Sequence, residues 1–245
     1  VNDPVSVFRA LHHDRPPGDP LVLPGPWDAA SARAFEEAGF PALATPSAGV
    51  AAALGHADGR TPAAEMFAAI ARIAGSVSVP VSADVEAGYG LAPAELVERL
   101  LEAGVVGCNL EDSAGGALLD PREQADRLAA VHAAAAGRLF VNARVDTYVR
   151  ALPEGTDVVA ETVGRARLYA AAGAECVYPI GAPAEHLTWL AAGVTVPLNA
   201  HGTPDDPSGA RRLGELGAAR ITFGPLLQRR ATSAARDLAA RLLTG

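Results

Sequence analysis

Eight short apolar runs, each followed by a segment with apolar residues at three- and four-residue spacing, constrain this 245-residue chain more than any other feature. Strand-like runs fall at 21–23, 42–45, 79–83, 106–110, 139–143, 176–178, 196–198 and 220–222. Helix-like segments lie at 29–38, 63–75, 94–103, 122–135, 158–172, 184–191 and 208–216, and a last helix at 225–243 closes the chain. Strands buried on both faces read as near-continuous Val, Ile, Leu and Ala, whereas a 3.6-residue period marks an amphipathic helix. Pro93, Pro121, Pro183 and Pro207 stand at or just before helix starts. Gly39, Gly104, Gly173 and Gly217 follow helix ends, where a left-handed residue is favoured. The alternation predicts an α/β fold of the (β/α)8 TIM-barrel type. A doubly wound sheet fits less well, because no glycine-rich phosphate fingerprint follows the first strand. Residues 1–245 read as one barrel domain, with 1–20 an N-terminal helical extension (helix at 5–12) and 225–245 a C-terminal helix.

Composition narrows the partners. Hydrophobic residues make up 49% of the chain and aromatics only 5%, which suits helices packed closely around small and β-branched residues. A formal net charge of -8 argues against nucleic acid, whose phosphates need a basic surface. No stretch is apolar enough to cross a bilayer and none reads as a signal peptide, so no membrane partner and a cytoplasmic location are expected. Cys108 and Cys176, the only cysteines, fall inside predicted strands and read as small buried hydrophobes. Without a CxxC or a His-rich neighbourhood they support neither a zinc site nor a disulfide.

Polar motifs interrupt the apolar pattern at the downstream ends of four strands: Asp84-Val85-Glu86-Ala87-Gly88-Tyr89-Gly90, Asn109-Leu110-Glu111-Asp112, Asn142-Ala143-Arg144-Val145-Asp146 and Asn199-Ala200-His201. In a barrel these ends form the active-site face. Buried charge there is costly unless it is neutralised. Alternation along a strand predicts that Asp84 and Glu86 share a face, as do Asn109 with Glu111 and Asn142 with Arg144. Three carboxylates, Asp84, Glu86 and Glu111, without a partnering His or Cys, favour a hard cation, Mg2+ first and Mn2+ second. Arg144 would grip a substrate carboxylate with its planar fork; the alternative is an internal salt bridge to one of these acids. Segment 45–50, Thr-Pro-Ser-Ala-Gly-Val, reads alone as a loop, whose small residues would let backbone amides approach an oxyanion.

In Asp84–Gly90, Asn109–Ser113 and Asn142–Asp146, and in Trp27–Arg33 and Leu54–Gly59, the chain resembles the phosphoenolpyruvate mutase/isocitrate lyase superfamily along nearly its whole length. The resemblance implies a Mg2+-dependent enzyme working through an enolpyruvate-like oxyanion. By motif it implies Asp84 as direct metal ligand, with Glu86 and Glu111 acting mainly through metal-bound water. It implies Asp58 as an acid near metal and substrate, and Arg144 as the carboxylate-binding arginine. The amides of Ser47 and Ala48 correspond to the oxyanion cradle, although Pro46 replaces a Ser common in the family. Members usually assemble as tetramers through the last helix, so a homo-oligomer, dimer or tetramer, with a swapped C-terminal helix is expected.

Departures from the family are equally informative. True isocitrate and methylisocitrate lyases carry a K-[KR]-C-G-H loop after the N-x-E-D strand. Here residues 112–120, Asp-Ser-Ala-Gly-Gly-Ala-Leu-Leu-Asp, are short and lack Cys, Lys and His. The Lys/Asn-bearing loop and the strand-six His of phosphonomutases are missing too; Tyr178-Pro179-Ile180-Gly181 stands in the latter place. Gly115 and Gly116 read as hinges of a short lid or as an ordinary glycine-rich turn. His201 reads as a general acid/base or as a solvent-exposed loop histidine. Asn199 reads as a substrate hydrogen-bonding residue or a plain strand end, and Tyr89 as packing with a partial role in the site. His56, Tyr148, Trp27 and Trp189 read as structural. The expected activity is a Mg2+-dependent carbon–carbon lyase or decarboxylase acting on a small 2-oxo or 2-hydroxy carboxylate. The alternatives are a phosphonomutase acting on phosphoenolpyruvate or phosphonopyruvate, and a non-catalytic metabolite-binding barrel.

Overall fold

The computed structural model describes residues 3–16, 18–206 and 208–244. Pro207, expected before a helix, lies outside the described residues, as do residues 1, 2, 17 and 245 of the expected terminal segments. Helix α1 (Pro4–His13) precedes β1 (Leu21–Val22), α2 (Ala29–Glu37), β2 (Leu43–Thr45), α3 (Ser47–Leu54), α4 (Ala63–Ala74), β3 (Val81–Asp84) and α5 (Pro93–Glu102). Then come β4 (Gly107–Glu111), a hairpin of β5 (Ser113–Ala114) and β6 (Ala117–Leu118), α6 (Pro121–Ala135), β7 (Phe140–Val145) and α7 (Val158–Ala171). The chain ends with β8 (Cys176–Pro179), α8 (Ala184–Gly193), β9 (Asn199–His201), α9 (Gly209–Glu215), β10 (Arg220–Thr222) and α10 (Leu226–Thr244).

Pairing among the strands is parallel in two runs, β2-β3-β4-β7-β8 and β1-β10-β9. Two links close the ring. A parallel bridge between Val177 and Leu198 joins β8 to β9. The Ala44 N–H donates to the Pro24 carbonyl at 3.2 Å, tying β2 to the chain leaving β1. Eight parallel strands thus curl into a barrel with helices outside, as the alternation predicts. Apolar faces of α4, α5, α6 and α7 pack on the outer wall through residues such as Met66, Ile70, Leu96, Leu100, Leu128 and Tyr169. A second cluster joins α1 to the strands: Phe8 meets Phe140 edge-to-face at 5.3 Å, beside Leu21, Leu23, Val106 and Cys176.

The interior is less apolar than its strands suggest. Asn142 donates to Asn109 (2.8 Å) and Asn199 (3.1 Å), and Arg220, fully buried, donates to Asn109 at 3.3 Å. Arg220 also lies over the Phe8 ring at 5.9 Å, a cation–π arrangement.

Three expected elements differ from the structure. The seventh barrel strand begins at Asn199 rather than 196, because Pro197 has no N–H for a ladder and serves only as acceptor, to Val177 at 3.0 Å. Segment 45–50 is not a loop beyond Pro46: α3 starts at Ser47, and the helix formers Ala51, Ala52, Ala53 and Leu54 continue it. Residues 113–118 form an ordered hairpin in which Gly115 (φ 60°) and Gly116 (φ 88°) supply the two positive φ values of a tight primed turn. The hairpin is anchored at its base. Asp112, wholly buried, accepts from Asp146 N–H (2.8 Å), the Tyr169 hydroxyl (2.8 Å) and Arg165 Nη1 (3.0 Å), while its carbonyl accepts from Leu119 N–H at 2.8 Å.

At the other end of the chain, α10 leaves Leu238, Leu242 and Leu243 exposed. Among the described residues no helix is long and apolar enough to cross a membrane.

Breaking a buried ion pair by removing one partner costs about 3–5 kcal/mol, whereas an exposed pair is worth about 0–1 kcal/mol. Asp112→Ala is therefore expected to lower unfolding free energy by about 3–5 kcal/mol in urea titrations, and Asp19→Ala, which breaks the exposed pair with Arg15, by less than about 1 kcal/mol.

Candidate active site

A cavity of about 380 Å3 opens where the strands end. Thr45 ends β2, and Ser47 and Ala48 begin α3; β3 supplies Asp84, and Glu86 follows it. Asn109 and Glu111 come from β4, Arg144 from β7, Tyr178 from β8 and Thr222 from β10. Asp58 and Arg150, on loops, complete the rim. Ladder register explains the grouping: Asp84 pairs with Asn109, and Glu111 with Arg144, which in turn pairs with Tyr178.

Asp84 is held from α3. The Ser47 hydroxyl donates to its Oδ2 at 2.7 Å and the Ser47 N–H to the same oxygen at 3.2 Å. The first amides of a helix have no partner within it and carry its positive dipole end, so the turn that follows β2 is suited to an anion. Of the expected cradle, the Ser47 amide is thus engaged with Asp84, while Ala48 lines the cavity.

Glu86 reaches the cavity by a turn rather than by strand alternation. The strand stops at Asp84, and Glu86 takes φ 51° and Tyr89 φ 54°, left-handed conformations rare for non-glycine residues. Gly88 between them has φ 75°, and a Cβ there would lie 2.5 Å from Arg127 Nη2 and 3.0 Å from Leu96 Cδ2. Tyr89 does not line the cavity; its ring packs edge-on against Phe67 at 6.0 Å.

Crowded acids set the electrostatics. Burial, with Asp84 and Asp58 adding repulsion, pushes the Glu86 carboxyl up to about 7. Burial pushes Glu111 up to about 8, because Arg144 does not outweigh it together with Asp84, Asp146 and Glu86. The buried Glu86 Oε1 and the Tyr89 hydroxyl each lack a well-formed hydrogen bond, and the hydroxyl's proximity partly offsets the rise of the Glu86 carboxyl. Such an undercompensated, all-oxygen set fits a hard cation. Among the described residues no three His, Cys, Asp or Glu side chains converge closely enough to ligate one ion together. Asp84, Glu86 and Glu111 line one cavity without converging on a single point, an arrangement that a cation keeping several waters would tolerate.

Arg144 is committed within the protein. Its Nη1 pairs with Glu111 Oε2 at 2.7 Å, and its Nε and Nη2 donate to Asp146 at 2.7 and 3.1 Å. The internal salt bridge weighed as the alternative to substrate binding is present, and only the rest of the fork is left for a ligand. Asn199 lies wholly buried below the cavity, its amide bonded to Ala200 O (2.9 Å) and Thr222 Oγ1 (3.0 Å). His201 does not line the cavity either; its Nδ1 meets the Tyr178 hydroxyl at 3.0 Å, and burial lowers its pKa.

Sequence reasoning assigned no role to Tyr178, Arg150 or Asp146. The signals were a hydroxyl at the end of an apolar strand, and an arginine four residues after Asp146. Arg150 Nε donates to Ser113 Oγ at 3.2 Å and lies 3.6 Å from Asp146 Oδ2.

The phosphoenolpyruvate phosphomutase family model matches residues 8–243. A candidate phosphonomutase from Burkholderia cenocepacia J2315 superposes with a TM-score of 0.89 at 39% identity, over 98% of this chain and 100% of that one. An uncharacterized protein of Mycobacterium tuberculosis H37Rv is 35% identical over 218 residues, 89% of this chain and 81% of the relative. The structure of a 2,3-dimethylmalate lyase, a superfamily member, has a TM-score of 0.85 at 28% identity, over 99% of this chain and 88% of that one. With the strand-end acids, the closed parallel barrel and a match along nearly the entire sequence, the chain belongs to the phosphoenolpyruvate mutase/isocitrate lyase superfamily of carbon–carbon lyases and mutases.

Proposed function

We propose that this protein is a divalent-cation-dependent carbon–carbon lyase or decarboxylase that acts on a small 2-oxo or 2-hydroxy dicarboxylate through an enolate. The observation that carries this reading is one cavity lined by four carboxylates, Asp58, Asp84, Glu86 and Glu111, and by two arginines, Arg144 and Arg150. When bound, Mg2+ (or Mn2+) would polarise the 2-oxo oxygens and stabilise the enolate. Asp84, fixed by Ser47, would hold that cation directly, with Glu86 and Glu111 in its water shell. The Ala48 amide and the rest of the Arg144 fork would orient the carboxylate next to the reacting carbon. Arg150, which lines the cavity beside Arg144, would take the distal carboxylate. The hairpin, which offers no Cys, Lys or His, favours decarboxylation over aldol cleavage, because decarboxylation needs no strong base to deprotonate a hydroxyl.

A second reading, a phosphonomutase, is favoured by the family model and by the Burkholderia structure. Phosphorus NMR of the protein mixed with phosphoenolpyruvate and Mg2+ decides it: a phosphonate signal supports the mutase, and its absence removes that reading.

Oxalate, an enolate mimic, is expected to raise the melting temperature only when Mg2+ is present, and Asp84→Ala is expected to abolish the shift. Full turnover of oxaloacetate by Asp84→Ala without metal would refute the reading. No response of the unsubstituted protein to oxalate, oxaloacetate or phosphoenolpyruvate would favour a non-catalytic barrel.

The pH response has a definite sign. Glu86 and Glu111 have folded-state pKa values of about 7 and 8, above the ordinary 4.5. The native state therefore binds more protons than the unfolded chain in this range, and stability falls as pH rises. Metal-free protein should thus melt at lower temperature at pH 8.5 than at pH 5.5, all else equal, and saturating Mg2+ should reduce the difference. A flat profile without metal would contradict the acid cluster.

Hydrogen bonds to charged groups contribute about 1.5–3 kcal/mol, roughly 10- to 100-fold in affinity. Arg150→Gln is expected to weaken oxaloacetate by that factor in calorimetric titrations with Mg2+, and to leave oxalate, which has no distal carboxylate, nearly unchanged.

A further inference from the structure

The chain must protonate an enolate without the groups most often used. It contains no lysine at all. Both thiols are sealed inside the sheet, Cys108 and Cys176 each 0% exposed. The hairpin that follows β4 carries no Asp, Glu, Cys, Lys or His between Ser113 and Leu119. The carboxylates gather on the β3 and β4 side, where a cation would keep them ionised.

Tyr178 stands elsewhere on the wall. It rises from β8 beside Arg144, lines the cavity, and is 4% exposed as a residue. Its hydroxyl meets His201 Nδ1 at 3.0 Å. His201 comes from β9, one strand further round, and packs against Gly224, where a Cβ would lie 3.1 Å from His201 Cε1. Tyr178 thus borders the ligand space, and its hydroxyl meets both Thr222, which also lines the cavity, and a histidine that itself stays out of it. Burial keeps the phenol protonated, its pKa pushed up to about 12, and keeps the imidazole neutral.

We infer that the Tyr178 hydroxyl gives the proton to the enolate carbon of the bound 2-oxo acid, and that His201 resupplies it. The inference rests on the enolate reading above. As the C–H bond forms, the Tyr178 O–H bond breaks and the enolate electron pair restores the carbonyl. In one concerted relay the phenolate takes the proton from His201 Nδ1 as Nε2 takes one from water, which leaves hydroxide to the solvent; proton exchange with solvent then returns the ring to its Nδ1–H tautomer for the next turnover. Tyr178 is the catalytic residue; His201 acts through it as a positioning and relay residue.

Pyruvate supplies a test independent of the natural substrate, because the same step run backwards and forwards exchanges its methyl protons with solvent. In D2O with Mg2+, proton NMR is expected to show loss of the pyruvate methyl signal with the unsubstituted protein. General acid–base catalysis contributes roughly 10²–10⁴-fold, so Tyr178→Phe should slow exchange by at least about 100-fold, with thermal stabilisation by Mg2+ and oxalate retained. His201→Asn, which keeps a hydrogen bond to the phenol but cannot relay a proton, should also slow exchange without changing oxalate stabilisation. Exchange at the unsubstituted rate in Tyr178→Phe overturns the assignment, and the same result in His201→Asn overturns the relay. A protein that binds oxalate with Mg2+ yet exchanges no pyruvate protons overturns the inference alone. One that does neither overturns the enolate reading, and the inference with it.

Discussion

Repulsion among carboxylates gathered at one end of a barrel is the constraint that the surrounding structure answers. Asp84, Glu86, Glu111 and Asp146 are brought together by strand register and by the turns that follow the strands, in a space too dry to screen them. Each answer is local and directional. Ser47 donates twice to Asp84; Arg144 spans Glu111 and Asp146; Arg150 adds charge beside Asp146 and touches Ser113. Beneath them Asp112 is satisfied by Arg165, Tyr169 and a backbone amide. What these contacts leave unbalanced, above all the Glu86 carboxyl raised by burial and by Asp84 and Asp58, is the part of the site that a ligand would complete.

Much of the scaffold was legible in the sequence because it depends on periodicity. Runs of Val, Ile and Ala bounded by Gly and Pro gave the eight strands, and the ends marked by Asp84, Glu111 and Arg144 gave the functional face. The failures have physical causes. Pro197 looks like part of an apolar strand until its missing donor is considered. The run Ser47–Leu54 is so rich in small residues that its helical tendency was hidden behind its suitability for a loop. Left-handed Glu86 could not be read from a two-residue alternation, although that alternation placed it on the correct side.

The side of the site carried by β8, β9 and β10 was harder to read for a different reason. Tyr178 meets His201, and Thr222 meets Asn199, only through contacts between different strands. Asn199 looked available because it ends a strand, yet three-dimensional packing spends its amide inside the barrel. Arg150 belongs to no motif at all; its position follows from the turn after β7. Superfamily membership supplies the barrel and its acid-rich wall, whereas chemical individuality resides in these less regular positions.

The burial of the two cysteines has a consequence beyond packing. Cys108 and Cys176 lie inside the sheet, their thiols pushed up to about 12, so almost none of the reactive anion exists at neutral pH. Peroxide and thiol-directed alkylating agents therefore find no accessible thiolate at either cysteine.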